Sequence, residues 1–244
     1  MALFVMGDTH LSLGVPEKPM DIFEGWENYQ ALIAENWQRL IAPEDTVVLA
    51  GDISWGMTLQ QARADLAFLD ALPGRKIILK GNHDYWWNSM KKMTDFFTEC
   101  GFSTLSILHN NCYAYEDVGI CGTRGWVNIP GETVDEGMLR QQVDERCADA
   151  RVLAREQQRL RVSLEAARQQ GLRPIAFLHY PPVYWGSRNE LMLDVLHEYG
   201  VEHCYYGHLH GRAPHARAVK GWENGICYHL ISGDYLQFTP EKIM

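Results

Sequence analysis

The first hundred residues repeat one pattern three times: a short apolar run, a polar turn and an amphipathic stretch. The apolar runs are 2–6, 46–50 and 75–80, and the amphipathic stretches are 26–41, 57–72 and 85–100. The runs have the length of strands, whereas the stretches carry apolar residues at helical spacing. Consecutive units of this kind predict parallel strands joined by crossover helices, with the polar turns along one edge of a sheet. The pattern therefore predicts an α/β fold.

The polar turns carry side chains that can bind metal ions. Asp8 and His10 follow the first run, Asp52 follows the second, and Gly81-Asn82-His83-Asp84 follows the third. In extended backbone, residues two apart point to the same side, so Asp8 and His10 can reach one ion together. Taken alone, residues 81–84 are a weak signal, because glycine and asparagine also form ordinary turns.

The second half of the chain contains two further turns of this kind. A strand-like run at 174–178 leads to His179, and another at 202–206 leads to His208 and His210. Around them the pattern predicts short strands within 103–121, a short helix at 190–199 and closing strands at 213–219, 226–232 and 234–238. Repeats and low-complexity linkers are absent from the sequence, so we expect one domain over residues 1–244.

One long polar stretch separates the two halves. It has acidic residues at its start, basic residues near its end, and Gly171 directly after it. That charge order complements a helix dipole, and glycine is favoured just beyond a helix. We therefore predict a long helical insertion at about 132–171, as one helix or two with a break, packed on the outside of the sheet. A solvated charged arm is the alternative.

The strand-end donors form a consistent chemical set. They are Asp8, His10, Asp52, Asn82, His83, His179, His208 and His210. All offer nitrogen or oxygen, and such mixed carboxylate and imidazole ligands suit Mn, Fe or Zn. Eight donors are too many for one ion, and a carboxylate can bridge two. The set therefore predicts a site for two divalent metal ions.

The order of these motifs resembles that of the calcineurin-like metallophosphoesterases, whose pattern is D-x-H, G-D, G-N-H-[DE], H and G-H-x-H. This chain has Gly7-Asp8-Thr9-His10, Gly51-Asp52, Gly81-Asn82-His83-Asp84, His179 and Gly207-His208-Leu209-His210. Each motif is short, but together they span residues 7–211 in the family's order. The resemblance implies the family fold, a central β-sandwich flanked by helices in four layers, α/β/β/α.

The resemblance also implies a role for each residue. Asp8, His10 and His210 would hold the first metal; Asn82, His179 and His208 would hold the second; and Asp52 would bridge them. His83 would contact the substrate phosphate and could protonate the leaving group, and Asp84 would orient His83. The implied reaction is hydrolysis of a phosphomonoester or phosphodiester by in-line attack of a metal-bridging hydroxide.

One departure from the family concerns the substrate. Many relatives carry a further acid where this chain has Trp55, while residues 122–126 and 179–182 resemble a bacterial branch of predicted phosphohydrolases. Candidate substrate contacts are Arg124, Arg188, Trp55, Trp86 and Trp126. For the arginines a surface role is an equal alternative, and for the tryptophans a place in the core is the alternative to an aromatic rim. Five histidines outside the motifs are expected on the surface or in the core: His109, His197, His203, His215 and His229.

Composition restricts the partners. The net charge of −9, without a basic stripe, argues against a nucleic-acid partner and favours a small-molecule phosphoester. The apolar residues 1–6 are too short for a signal segment or a membrane span, and the six cysteines form no CxxC pair, so we expect a cytoplasmic protein. A nuclease of the same superfamily and a non-catalytic scaffold with this fold are the alternative functions. The sequence leaves the oligomeric state open.

Overall fold

The computed structural model of the chain describes residues 1–126 and 150–244. The first half contains β1 (Leu3–Met6), α1 (Tyr29–Leu40), β2 (Thr46–Leu49), α2 (Leu59–Ala71), β3 (Arg75–Ile78), α3 (Met90–Cys100), β4 (Leu105–Ile107), β5 (Tyr113–Tyr115) and β6 (Val118–Thr123). The second half contains α4 (Ala150–Gln169), β7 (Arg173–Leu178), β8 (Val183–Tyr184), β9 (Ser187–Arg188), α5 (Glu190–Glu198), β10 (His203–Tyr206), α6 (Arg212–Arg217), β11 (Gly221–Glu223), β12 (Ile226–Leu230) and β13 (Glu241–Lys242).

The first sheet has the strand order β13-β1-β2-β3-β4. Strands β1 to β4 are parallel, and β13 pairs antiparallel with β1 at the edge. The three strand–turn–helix units predicted from the sequence are confirmed. The third helix was predicted to begin directly after the 81–84 motif, but it begins at Met90, where Ser89 caps it by accepting a hydrogen bond from the Lys92 N–H. Residues 85–89 therefore belong to the turn.

The second sheet has the order β11-β12-β10-β7-β6-β5. Its four central strands are parallel, and β5 and β11 are antiparallel edges. Two predicted closing strands are wrong: 212–217 is the helix α6, and 233–238 is a run of turns. The turn at 233–238 places Asp234 beside the strand ends, which a strand there would not have done.

Three apolar clusters define the layers. Residues such as Val5, Val48 and Phe177 fill the space between the two sheets. The outer face of the first sheet packs on α1, α2 and α3, and the outer face of the second packs on α4 and α5. The central parallel strands bury both faces, as expected for strands covered by helices on one side and by a second sheet on the other. The fold is therefore the four-layer α/β/β/α sandwich that the family resemblance implied.

Helix α4 covers the later part of the predicted insertion at 132–171. It buries Leu160, Leu164 and Ala167 against the second sheet, so a charged arm is wrong for this part. Gly171 has φ +68° just beyond the helix end, and the Leu172 N–H donates to the Ala167 carbonyl, as glycine at that position predicts. Residues 132–149 lie outside the described residues, and the single-domain expectation stays a prediction. Among the residues described, none of the helices combines the length and apolar character that a membrane crossing requires.

Candidate metal centre

The carboxyl ends of five parallel strands bring all seven predicted metal ligands together. Asp8 and His10 follow β1, Asp52 follows β2, Asn82 follows β3, His179 follows β7, and His208 and His210 follow β10. Most of these side chains are deeply buried, with Asp8 and His179 at 0% exposure. Both sheets of the sandwich therefore contribute to one cleft.

The first group of ligands consists of Asp8, His10 and His210. One ligand atom from each lies within 4.8 Å of the others. The Nε2 atoms of His10 and His210 are 3.2 Å apart, and Nε2 of His210 is 3.7 Å from Oδ1 of Asp8. These are the three residues that the family resemblance assigns to the first metal.

The second group consists of His179, His208 and Asn82. Oδ1 of Asn82 lies 2.6 Å from Nε2 of His179 and 3.0 Å from Nδ1 of His208. Nδ1 of His179 faces the Ala50 carbonyl at 3.1 Å, and a proton held there leaves the Nε2 lone pair free to bind a metal. These three residues match the set that the resemblance assigns to the second metal.

Asp52 lies between the two groups. Its Oδ2 is 3.6 Å from Nε2 of His10 and 3.4 Å from Nε2 of His179. Its Oδ1 accepts a hydrogen bond of 2.7 Å from the His83 backbone N–H, which fixes the carboxylate plane. One oxygen thus faces both groups, as a bridging ligand must.

The ligands occupy unusual backbone conformations. Asp8, His10, Asp52 and His208 all have positive φ, between 42° and 72°. This left-handed region costs non-glycine residues roughly 1–2 kcal/mol each, and such strain concentrates at functional sites. The motif glycines allow the close approach: a Cβ on Gly81 would overlap the Asp52 carboxylate, and one on Gly207 would overlap that of Asp8.

The donor set fits metal ions on three counts. Two histidine nitrogens bound to one tetrahedral ion lie about 3.3 Å apart, close to the His10–His210 separation. Burial lowers the pKa of His10 and His179 and that of His208 to about 3, so these imidazoles are neutral, the form that binds metal. Burial also raises the pKa of Asp8 to about 6, a cost that a nearby cation would remove.

Asp234 is a functional residue that sequence reasoning missed. Its Oδ1 lies 3.0 Å from Nδ1 of His210, and its Oδ2 accepts a hydrogen bond from the Gly211 N–H. Burial opposes both of the following shifts. The contact with Asp234 raises the pKa of His210. The contacts with His210 and His215 lower the pKa of Asp234. A carboxylate holding one ring nitrogen orients the other towards a metal. The feature of the sequence that could have identified Asp234 is an acidic residue shortly after the apolar run 226–232.

We expect Asp234→Asn to weaken metal binding at the first group by about 10–100-fold, the usual effect of removing such a partner. A competition titration of the metal-free protein against a fluorescent chelator measures this. Asp194→Asn, an exposed acid on α5, is the control. Equal affinities for the two variants would show that Asp234 does not support the ligand.

His83 lies beside the ligands without joining either group. Its ring centroid is 5.6 Å from that of His10 and 4.4 Å from that of Trp55. Burial, followed by the charges of His210 and Lys18, lowers its pKa to about 4. The free protein therefore carries a neutral imidazole that can donate a hydrogen bond to phosphate, whereas protonating a leaving group requires the substrate's charge to raise that pKa first.

Asp84 does not orient His83, which corrects the role expected from the sequence. Its buried Oδ1 accepts hydrogen bonds from the Ile53 and Ser54 N–H groups and from the Trp86 indole, and its Oδ2 accepts one from the Gly81 N–H. Nδ1 of His83 has no hydrogen-bond partner among the described residues. Asp84 instead ties the Asp52 turn to the 81–86 turn, and so positions ligands through the backbone.

The candidate substrate contacts separate into two sets. Trp55 and Trp126 are half-buried at the cleft: Trp55 stacks on His10 at 5.2 Å, and Trp126 contacts Tyr180, whose ring is 4.4 Å from that of His208. Trp86 is 1% exposed and belongs to the core, so its assignment to the rim is wrong.

The two candidate arginines, Arg124 and Arg188, have different surroundings. The guanidinium of Arg124 lies over the Trp126 ring at 4.4 Å and 3.6 Å from the buried Glu156 carboxylate, near the cleft. Arg188 instead forms ion pairs with Glu190 and Glu223. These carboxylates already neutralise the positive charge that would bind a phosphate. The predicted substrate role of Arg188 is therefore not supported by its contacts.

Comparison with solved structures supports the fold. A phosphopantetheinyl hydrolase from Mycobacterium tuberculosis superposes with a TM-score of 0.56 at 14% identity, covering 100% of this chain and 95% of that one. A protein of unknown function from Aquifex aeolicus gives 0.50 at 16% identity, covering 99% of this chain and 95% of that one. At these identities the similarity establishes the shared fold alone.

Comparison with known sequences gives one short match and one long one. The Gene 66 protein of Mycobacterium phage L5 is 41% identical over 58 residues, which are 24% of this chain and 28% of that protein. The chain thus matches little more than a quarter of that relative's length. The profile of the calcineurin-like phosphoesterases matches residues 1–212, which include every ligand described above. The chain therefore belongs to the calcineurin-like phosphoesterase family, whose members depend on metal ions.

Proposed function

We propose that this protein is a phosphohydrolase that uses two divalent metal ions, Mn, Fe or Zn, to hydrolyse a small-molecule phosphoester. The observation that carries the proposal is the position of Asp52, one oxygen of which lies 3.4–3.6 Å from a histidine of each ligand group. Family membership supports the reaction class, since the family is that of phosphoesterases. The net charge of −9 favours a small substrate over a nucleic acid.

Asp8, His10 and His210 would hold one ion, and Asn82, His179 and His208 the other, with Asp52 shared. When bound, the ions supply Lewis acidity, which lowers the pKa of coordinated water and neutralises charge on phosphate oxygens. The protein holds the ligands before any substrate arrives: backbone hydrogen bonds to Asp8 from His208 and to Asp52 from His83 fix both carboxylates. Preorganised charge of this kind is the main source of catalysis in phosphoryl transfer.

His83 would act on the substrate. Its neutral ring borders both Trp55 and His10 of the first ligand group, where its N–H can donate to a phosphate oxygen. That hydrogen bond would strengthen as charge develops on phosphorus-bound oxygens in the transition state. His83 therefore contributes to rate and not to metal affinity.

The aromatic rim supports a substrate with a planar or apolar organic part. Trp55 and Trp126 are half-buried, Trp55 against His10 and Trp126 against Tyr180, so the exposed part of each ring can contact a ligand. Stacking on such rings is worth about 1–3 kcal/mol for a base or similar group. A phosphohydrolase with an organic substrate is compatible with this fold, since one structural neighbour is named a phosphopantetheinyl hydrolase.

The proposal is tested by turnover. Protein stripped with chelator and reconstituted with Mn²⁺ should hydrolyse an aryl phosphate or a bis-aryl phosphate, and the chelated protein should not. A broader panel of alkyl, sugar and nucleotide esters then separates monoester from diester activity. A reconstituted protein that binds metal but turns over none of these esters would favour the non-catalytic scaffold.

We expect Trp126→Ala to raise the KM for an aryl phosphate by about 5–150-fold, from loss of about 1–3 kcal/mol of stacking, and to change the KM for a small alkyl phosphate much less. Steady-state kinetics on both esters measure the difference. Trp222→Ala, which removes an exposed tryptophan from the edge strand β11, is the matched control. Equal changes for both ester types would place Trp126 outside the substrate site.

A further inference from the structure

A second group of metal-binding side chains lies away from the cleft, on strands β10 and β12. It consists of His203, Cys227 and His229, whose ligand atoms all lie within 4.8 Å of one another. These strands are parallel neighbours, and His203 is directly opposite Cys227 in their register. Cys227 and His229 are two residues apart on one strand, so they point to the same face of the sheet. The sequence alone indicated only surface or core histidines here.

The two imidazoles face each other. Nδ1 of His203 lies 3.1 Å from Nε2 of His229, close to the separation of about 3.3 Å expected for two nitrogens on one tetrahedral ion. Both rings are held by aromatic neighbours: Tyr205 stacks on His229 at 4.4 Å with an interplanar angle of 15°, and Trp222 packs edge-on to His203 at 5.6 Å. The geometry is therefore restrained before any ion binds.

The three ligands are buried to different extents. Cys227 is 8% exposed, whereas His203 and His229 are half-buried. An ion can therefore enter from solvent and be bound by a thiolate on the protected side. Two imidazoles and one thiolate favour borderline ions such as Zn²⁺ and Co²⁺ over the hard ions that carboxylates prefer.

The group is separate from the catalytic cleft. His203 begins β10, while His208 and His210 follow its opposite end. The strand from His203 to Tyr206 spans roughly 10 Å. A metal–ligand bond is only about 2 Å long, so an ion here could not contact the Asp52 region. It would instead link β10 to β12 within the second sheet.

We propose that His203, Cys227 and His229 form an additional metal site that binds one Zn²⁺ or Co²⁺ ion. This site is independent of the proposed hydrolytic function, because it shares no ligand with the cleft. Its sulfur ligand also gives the site a distinct absorption spectrum when cobalt is bound. Cobalt bound to a thiolate absorbs in the near ultraviolet by charge transfer, and the cleft ligands contain no sulfur.

The experiment titrates the reduced, chelator-treated full chain with Co²⁺ and follows this absorption. We expect a sulfur-to-cobalt band that saturates at one equivalent of sulfur-bound cobalt per chain. Cys227→Ser should lose the band. Asp52→Asn and Cys100→Ser, the latter a partly exposed cysteine at the end of α3, should keep it.

Far-ultraviolet circular dichroism verifies that each variant is folded. If Cys227→Ser does not fold, His203→Gln replaces it in the test, because this variant keeps the thiol. We expect His203→Gln to raise the Co²⁺ concentration at half-saturation of the band by about 10-fold or more. Absence of the band in the wild type would overturn the proposal. So would a band that persists in Cys227→Ser, since another cysteine would then be the ligand.

Discussion

Replacing Asp52 by asparagine should remove most catalysis and release metal from the cleft. The amide is nearly isosteric, but it lacks the negative charge of the carboxylate, whose Oδ2 faces both ligand groups. Each of the two proposed ions would contribute several kcal/mol to transition-state stabilisation, so we expect kcat to fall by about 10³-fold or more. Metal content measured after gel filtration should fall below that of the wild type.

Asp84→Asn is the matched control for this variant. Asp84 is as buried as Asp52, but it accepts only backbone and indole N–H groups and contacts neither ligand group. Its loss should lower the free energy of unfolding by about 1.5–3 kcal/mol, the worth of a hydrogen bond to a charged group, while metal content at saturation stays close to that of the wild type. If Asp52→Asn retained full metal and rate, Asp52 would not be a bridge.

Replacing His83 by alanine should separate rate from metal binding. We expect kcat to fall by about 10²–10⁴-fold, the range for groups that assist proton transfer or stabilise charge, with metal content unchanged. The physical reason is placement: the His83 ring borders His10 of the first ligand group and Trp55, but it belongs to neither ligand group. Steady-state kinetics with metal analysis on the same samples measure both effects.

His109→Ala serves as the comparison, since His109 is a half-buried histidine beside Trp87 and outside both groups. Its rate should stay within a few-fold of the wild type. Loss of metal in His83→Ala, in contrast to His109→Ala, would place His83 in the coordination sphere and contradict the assigned role.

The ligand positions could be predicted because two independent patterns agree on them. Strand length and helical spacing identify the strand ends, and parallel topology requires those ends to meet. His179 directly follows an apolar run, and Asp8 and Asp52 each follow one after a single glycine, so local pattern alone locates them. The motif order then indicated how the ligands would divide between two ions, which stays a prediction. The side-chain distances are compatible with it: Asp8, His10 and His210 lie together, and so do Asp52, His179 and His208.

The supporting residues could not be predicted, because their partners are far away in sequence. Asp234 reaches His210 only because residues 233–238 turn where an apolar pattern indicated a strand. Asp84 is adjacent to His83, yet its carboxylate turns away towards Ile53 and Ser54 across 30 residues or more of chain. Such contacts depend on side-chain direction, which spacing does not determine.

The tryptophans show the same limit. Trp86 and Trp87 were expected on the first turn of a helix, but α3 begins later, and the indole of Trp86 is drawn into the core by its hydrogen bond to Asp84. Trp55 and Trp126 lie at similar distances from strand ends and remain at the cleft. Proximity to a motif in sequence therefore identified the region but not which aromatic side chain lies at the cleft and which lies in the core.

Electron paramagnetic resonance of the Mn²⁺-loaded protein shows whether two ions share Asp52. The measurement uses Cys227→Ser, so that an ion at the additional site is not counted, and titrates Mn²⁺ into the chelator-treated chain. Two ions bridged by one carboxylate should give two Mn²⁺ per chain and the spectrum of an exchange-coupled pair. Saturation at a single Mn²⁺, or two ions with the spectrum of isolated Mn²⁺, would contradict a bridge by Asp52.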